Sequence, residues 1–210
     1  MLVKGMLLSF DDPVLGLIPT IVCCQYNPST VTRTFTVGAA GGGSAAASSA
    51  RTAPIPASEE YTLTLEFDAT DGLAEEGPLT TAFGIAPRLA ALEMLMQPVG
   101  SSLIGGLVGT LARRADTGHA IPVGRPPLAM FAWGPARITP VHVKSLVIRE
   151  TAFDAQLNPI HAAADVGLTV LRTTELPKDE KLARLAADYY QGAREVKAAV
   201  QLPQMLELGG

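Results

Sequence analysis

The clearest alternation of apolar and polar residues in this chain lies between positions 61 and 68. One side of the pattern is formed by Tyr61, Leu63, Leu65 and Phe67, and the other by Thr62, Thr64, Glu66 and Asp68. Side chains in a β-strand point alternately to opposite faces of the sheet. The pattern therefore predicts one strand with a buried face and an exposed face.

Six further runs are rich in β-branched and apolar residues, which suit a pleated and half-buried surface. They span residues 2–10, 17–26, 30–37, 128–133, 138–151 and 160–172. Turn residues separate several of them, including Asn27-Pro28-Ser29 and, between the last two runs, Asn158-Pro159. The sequence thus predicts a mainly β fold in which the last two strands form a hairpin.

The periodicity becomes helical in two places. The first place is residues 87–96. There an apolar stripe is formed by Leu89, Leu92 and Met96, with Ile85 just before it, which predicts a short amphipathic helix. In the second, residues 177–201, an apolar stripe is formed by Leu182, Leu185, Tyr189, Val196 and Val200.

Several residues mark the ends of this second helix. Pro177 precedes it, Asp179 and Glu180 suit its positive N-terminal end, and Pro203 is expected to stop it. The helix is either packed on its own domain or an arm that docks on another subunit, and the sequence leaves both possibilities open.

Two segments are predicted to be loop insertions, residues 38–58 and 97–120. The first is made mainly of Gly, Ala and Ser, which gives it little to bury. The second overlaps an uncharged stretch, residues 94–112, with a Gly105–Gly109 GxxxG pair, but Gln97, Pro98 and Ser101 interrupt it, so a connection packed on protein is favoured over a membrane span. We therefore expect a β domain over residues 1–174, followed by a helix and tail over residues 175–210.

Composition limits the classes of partner that are expected for this domain. Of its 210 residues 48% are hydrophobic, which is enough for a packed core, and 16 basic against 20 acidic residues give a net charge of −4. Basic residues cluster only at Arg113 and Arg114, so nucleic acid is not an expected partner. Cys23 and Cys24 are adjacent, and neighbouring residues in a strand point to opposite faces, so a disulfide between them is not expected, which fits a reducing compartment.

Catalytic and metal-binding patterns are absent from the sequence. His119, His142 and His161 show no HxH or HExxH spacing, so each is expected to be a surface or hairpin residue. There is no GxSxG elbow, and the Gly-rich run at residues 41–44 lacks the GK[ST] ending of a phosphate-binding loop.

Paired carboxylates offer no catalytic site either. Glu59-Glu60 and Glu75-Glu76 are adjacent in sequence and are interpreted as solvated loop charges, because neighbouring residues in strands or turns diverge. Trp133 and the pair Tyr189-Tyr190 are interpreted as packing residues. We expect no enzymatic activity, no metal and no cofactor.

Four motifs, taken together and in this order, resemble those of the tube-fold baseplate proteins of contractile injection systems, which are phage-tail-like particles. The first, Gln25 to Ser29, is similar to an "FNP" turn, and residues 60–68 resemble an "L-x-L-x-x-D" strand. Residues 126–134 resemble a "PP-x-x-x-F-x-WG" strand, and residues 153–163 an aromatic-turn-proline hairpin. The resemblance covers about residues 2–173.

This resemblance implies a tail-tube fold, a small β-barrel or sandwich with one short internal helix. It also implies a homo-hexameric ring that nucleates the inner tube and contacts the tube protein ring, the trimeric spike and other baseplate subunits. Neither nucleic acid nor membrane is an implied partner. Assembly is expected in the cytoplasm, within a phage-tail-like particle that can be released.

The position of the ring stays open, because tube-initiating and spike-adaptor proteins share this core. Many members of the family append a LysM domain after the last strand, whereas residues 175–210 here indicate a helix and tail. Candidate interface residues are apolar positions that need to be covered: Leu103, Ile104, Leu107, Leu182, Leu185, Tyr189 and Val196. The alternative function is that of a soluble β-barrel module that binds a small ligand or glycan.

Overall fold

The computed structural model describes residues 4–9, 20–37, 58–74, 77–97, 127–178 and 180–207. The two predicted loop insertions therefore lie outside the described residues, except for Ser58 and Gln97 at their ends. Three of the seven candidate interface residues, Leu103, Ile104 and Leu107, also lie outside them.

Seven antiparallel strands form one sheet, so the predicted mainly β class is confirmed. They are β1 (Met6–Ser9), β2 (Thr20–Cys23), β3 (Val31–Thr36), β4 (Ser58–Asp68), β5 (Ala129–Ala132), β6 (Ile138–Phe153) and β7 (Pro159–Val170). Their order across the sheet is β2-β1-β5-β6-β7-β4-β3. Strands β2 and β3 are consequently the two ends of the described sheet.

Four helices accompany this sheet in the part of the chain that the structure describes. They are α1 (Thr70–Ala74), α2 (Pro78–Phe83), α3 (Ala86–Met94) and α4 (Lys181–Glu207). The prediction of one internal helix was therefore wrong, since three lie between β4 and β5. The first two are short and α2 buries none of its residues, so they leave no apolar period in the sequence.

Two details of the helix predictions also need correction. Helix α3 buries Leu89 and Leu92 as expected, but Met96 lies beyond its end and is 41% exposed. Helix α4 continues past Pro203 to Glu207. A proline removes a single backbone donor, so a helix that contains one loses a hydrogen bond without having to end there.

The core lies on one face of the sheet. As predicted, Tyr61, Leu63, Leu65 and Phe67 of β4 are at most 3% exposed. Alternate residues of β7, among them Val166 and Leu168, continue this buried face, and Ile85 and Leu92 around α3 cover part of it. Trp133 stacks on Phe131, with 6.0 Å between ring centroids, which agrees with a packing role.

The β6–β7 hairpin is closed by the chemistry expected of its turn. One carboxylate oxygen of Asp154 accepts hydrogen bonds from the backbone N–H groups of Gln156 and Asn158, both at 2.8 Å. Leu157 has a φ of 65°, the left-handed conformation that such a tight connection needs. The prediction of a hairpin between the last two strands is confirmed.

Candidate functional site on the C-terminal helix

Helix α4 packs on its own domain along a face of small residues. Ala183 and Ala187 are buried with Leu128 and Leu176 in a second apolar cluster, separate from the main core. One turn further, Tyr190 is buried in the main core. Alanine lets a helix backbone approach closely, so the first turns of this face pack through small side chains and the next turn through Tyr190.

A buried carboxylate anchors the middle of α4. Glu59, in β4, is only 5% exposed, and its Oε1 accepts hydrogen bonds from Arg33 Nη2 at 2.7 Å and from the Tyr190 hydroxyl at 2.6 Å. Its Oε2 accepts one from Arg194 Nη1 at 2.9 Å. Two of these three donors belong to α4, and the third belongs to the neighbouring strand β3.

Tyr61 completes this arrangement, which we call the Glu59 cluster: Glu59, Arg33, Tyr61, Tyr190 and Arg194. The hydroxyls of Tyr61 and Tyr190 lie 2.5 Å apart, and the Arg33 guanidinium lies 5.5 Å from the centroid of the Tyr61 ring. Because the Tyr190 hydroxyl donates to Glu59, it accepts from Tyr61. Each polar group in the cluster therefore has a partner, as a buried network requires.

The protonation states in the cluster follow from these contacts. Burial by itself raises the pKa of Glu59, but hydrogen bonds from Tyr190 and Arg33 outweigh it and leave the pKa below its usual value. Burial, together with a hydrogen bond to the other phenol or to Glu59, raises the pKa of both Tyr61 and Tyr190. Glu59 is therefore ionised and both phenols are protonated, which describes an anchor rather than an acid–base pair.

Glu59 is the functional residue that the sequence interpretation missed. It was expected to be a solvated loop charge, but it belongs to β4 and lies on the core face. The signal was available, because the alternation of Tyr61, Leu63 and Leu65 extends back by two residues to Glu59. Its neighbour Glu60 does point to the outer face, where it forms an ion pair with Lys144 at 2.6 Å.

The apolar stripe predicted on the C-terminal helix is exposed. We call it the α4 stripe: Leu182, Leu185, Tyr189, Val196 and Val200, each between 50% and 67% exposed. Tyr189 also donates a hydrogen bond from its hydroxyl to Pro135 O at 3.0 Å. Helix α4 thus packs on its own domain through one face and presents a second, apolar face outward.

Four of the predicted interface residues, Leu182, Leu185, Tyr189 and Val196, are therefore brought together on one element. The face that α4 buries was not predicted, since the sequence argument followed the large apolar residues rather than the alanines. We take the α4 stripe and the Glu59 cluster beneath it as the candidate functional site.

The residues considered for chemistry are spread over the described structure. His142 Nδ1 lies 3.1 Å from Pro127 O, and His161 Nδ1 lies 2.7 Å from Thr151 Oγ1. Within the ranges that the structure describes, no group of three His, Cys, Asp or Glu side chains could hold a metal ion. Both cysteines are free thiols, while His119 and the pair Glu75-Glu76 lie outside the described residues.

In those same ranges, no helix has the length and apolar character needed to cross a membrane. Most of the uncharged stretch that contains Gly105 and Gly109 lies outside them. In comparison with known proteins, no family model matches the chain and no curated protein is significantly similar to it.

Proposed function

We propose that this chain is a structural subunit of a contractile injection particle, where it forms a hexameric ring that joins the inner tube to the spike and baseplate. The main support is the α4 stripe, an aligned set of large apolar side chains on a helix that is anchored to the sheet as far as Arg194. The order of the four sequence motifs along residues 2–173 supplies the class of assembly.

Single exposed apolar residues are common on protein surfaces, but an aligned row of them indicates a contact with another molecule. The Glu59 cluster fixes the first half of α4 in place before any partner arrives, because Tyr190 and Arg194 are both bound to the sheet. A surface that is already ordered loses less conformational entropy on binding. This arrangement suits a docking element in an assembly.

The ends of the sheet support the same role. Strand β3 pairs only with β4 among the described strands, and five of its six residues are exposed. A strand with an unpaired edge can accept a strand from a neighbouring molecule, which is how a sheet continues from one subunit to the next. The tail-tube fold, with its sheet extended around a ring, is part of this proposal.

The ligand-binding alternative has weaker support. Such a module needs an enclosed apolar chamber, whereas the rings of Tyr61, Phe67 and Phe131 fill the centre of the core face and are at most 1% exposed. We therefore favour an assembly role.

Electron microscopy of the native particle with this subunit labelled tests the proposal. We expect about six copies in one closed layer between the tube and the spike, as a cyclic assembly of equivalent contacts requires. Val196→Asp should abolish incorporation, because it buries an uncompensated charge at the contact. Ala198→Asp adds the same charge at a position outside the stripe and should assemble normally.

Two results would contradict the proposal. One is a layer of three or twelve copies, and the other is normal incorporation of Val196→Asp with a folded, unchanged monomer.

A further inference from the structure

A groove of about 370 Å³ lies between β2 and α3, away from the α4 stripe. It is lined by the consecutive residues 21–25, by Pro87, Arg88 and Ala91 of α3, and by Phe67 and Lys4. Successive side chains of a strand point to opposite faces, so a groove lined by five consecutive residues also borders the backbone of β2. We call it the β2–α3 groove.

The backbone that borders this groove has hydrogen-bonding groups that no described strand uses. The N–H of Cys24 donates to Gly5 O at 2.9 Å, toward β1. Because hydrogen-bonded and non-hydrogen-bonded residues alternate along an antiparallel strand, the N–H and C=O groups of Ile21 and Cys23 point the other way. Among the described strands none lies on that side of β2, which is one end of the sheet.

A fixed cation lies at the same groove. The side-chain amide of Gln25 donates to Asp68 O at 2.8 Å, and its Oε1 accepts from the Asp68 N–H at 3.0 Å. The same Oε1 accepts a hydrogen bond from Arg88 Nη1 at 2.6 Å. Gln25 is therefore held by the end of β4, and it positions the Arg88 guanidinium at the groove.

The charge of the groove is positive and uncompensated within the described structure. Lys4 and Arg88 both line it, and neither takes part in any ion pair between described residues. The remaining lining includes the buried apolar side chains Val22 and Phe67. A strand edge, an apolar wall and two cations that form no ion pair with a described residue occur together at this one place.

We infer that the β2–α3 groove binds an extended peptide segment that bears a carboxylate. The segment pairs with the free edge of β2, directs an apolar side chain toward Phe67 and Ala91, and places its carboxylate on Arg88 and Lys4. Main-chain pairing supplies affinity in such strand addition, and pockets and charges supply selectivity. This inference goes beyond the ring proposal and does not depend on it.

A cysteine in the groove, Cys23, allows binding to be measured by chemical modification. Cys23 is an exposed thiol that lines the groove, whereas Cys24 is buried and its pKa is raised to about 11 by burial and by the adjacent Cys23. A thiol of such high pKa is almost wholly protonated near neutral pH and reacts slowly. Alkylation by iodoacetamide therefore reports on Cys23.

The experiment compares two pools of N-acetylated peptides. The peptides are about eight residues long, which spans a groove of this type, and both pools are built mainly from Val, Ile, Thr, Leu and Ser. The acidic pool has one Glu and a free carboxyl terminus, and the neutral pool has Gln and a terminal amide. We expect immobilised protein to retain the acidic pool about tenfold more strongly, a preference typical of a charge-assisted contact. The acidic pool should also slow the alkylation of Cys23.

The variant Lys4→Gln/Arg88→Gln should lose this preference and the protection of Cys23. Both side chains are exposed, so the variant should keep its unfolding free energy, which denaturant melts check. Glu93→Gln, an exposed position of α3 outside the lining, is the matched control and should behave as wild type. Equal retention of both pools, no retention of either, or an unchanged preference in the variant would each overturn the inference.

Discussion

Glu59 shows how this fold accommodates a charge in its interior. A buried carboxylate loses its hydration, and this loss is offset only when donors satisfy its oxygens. Here two guanidinium groups and one phenol do so, and two of the three come from a helix more than 130 residues further along the chain. The charge of one residue thus connects β3, β4 and α4.

We expect Glu59→Gln to lower the unfolding free energy by about 2–3 kcal/mol at neutral pH, because the amide keeps the shape of the side chain but weakens its charge-assisted hydrogen bonds. Urea unfolding followed by circular dichroism measures this. Glu60→Gln is the matched control, since its exposed ion pair with Lys144 should contribute less than about 1 kcal/mol. Equal effects of the two substitutions would show that the Glu59 cluster is not an anchor.

The same carboxylate gives a pH dependence with a defined sign. The pKa of Glu59 is lower in the folded protein than its usual value, so the folded state favours the ionised form. Its contribution is fully present above the unfolded-state pKa of about 4.3 and is lost as the pH falls through the lower folded-state pKa. The difference in unfolding free energy between wild type and Glu59→Gln should therefore shrink between about pH 5 and pH 2. A difference that stays constant over this range would contradict the prediction.

Two glycines with opposite surroundings give a further prediction. Gly84 has a φ of 58°, and a Cβ there would overlap with Pro159 O, whereas a Cβ at Gly192 in α4 would meet nothing within 4 Å. Gly84→Ala should therefore destabilise the fold by more than about 2 kcal/mol. Gly192→Ala should stabilise it by up to about 1 kcal/mol, because alanine is the better helix former. Thermal melts compare the stabilities of the two variants. If Gly84→Ala left the stability unchanged, the backbone of the β6–β7 hairpin would have to move at this contact.

At the level of elements, the sequence predicts a strand or helix correctly where apolar residues recur at one regular spacing. Strand β4 and the β6–β7 hairpin follow from alternation and turn residues alone. The short helices α1 and α2 do not, since they contain too few buried positions to make a period. For α4 the large apolar residues predict an amphipathic helix, but which face it buries depends on Ala183, Ala187 and Tyr190 and on partners far away in sequence.

Removing only the second half of α4 should change the unfolding free energy much less than removing the whole helix. A chain that ends after Arg194 keeps Tyr190, Ala187 and the contact with Glu59, so it should unfold with nearly wild-type free energy while losing Val196 and Val200 for assembly. A chain that ends after residue 174 exposes the Glu59 cluster and should be destabilised by several kcal/mol, since it loses the buried Tyr190 and two of the three donors to Glu59. Parallel denaturant melts of the two truncated proteins measure this. Equal stability would show that α4 contributes nothing to the β domain.

At the level of the whole molecule, the sheet order could not be obtained from local patterns. Four of the six neighbouring pairs join consecutive strands, but β1 pairs with β5 and β4 pairs with β7, and these two pairings join strands that are distant in the chain. Such pairings depend on which apolar faces match across the entire core, and a single sequence shows each face but not its partner. The candidate site has the same origin, because Glu59 and Tyr190 meet only through this topology.

Local stability should differ between parts of the molecule. In α4 it should be higher before Arg194 than after it. Strands β4, β6 and β7 have neighbours on both sides and supply much of the main core, whereas β2 and β3 are sheet ends. Among residues 181–201 of α4 the last buried one is Tyr190, and the last contact with Glu59 is at Arg194, so residues 195–201 are exposed and, within the described structure, are held by their own helix. Local opening requires little free energy where few buried contacts must break.

Hydrogen exchange of the isolated protein should therefore be slowest in β4 and β7 and fastest, among the strands and helices, in the last turns of α4. If the α4 stripe docks on a neighbouring subunit, exchange in those turns should slow in the assembled particle, because the contact must break before the helix opens. Val196→Asp should leave the pattern of the isolated protein unchanged, since that side chain is 63% exposed there. Protection of residues 195–201 equal to that of β7 in the isolated protein would mean that the stripe is already covered, and the assembly role of α4 would have to be abandoned.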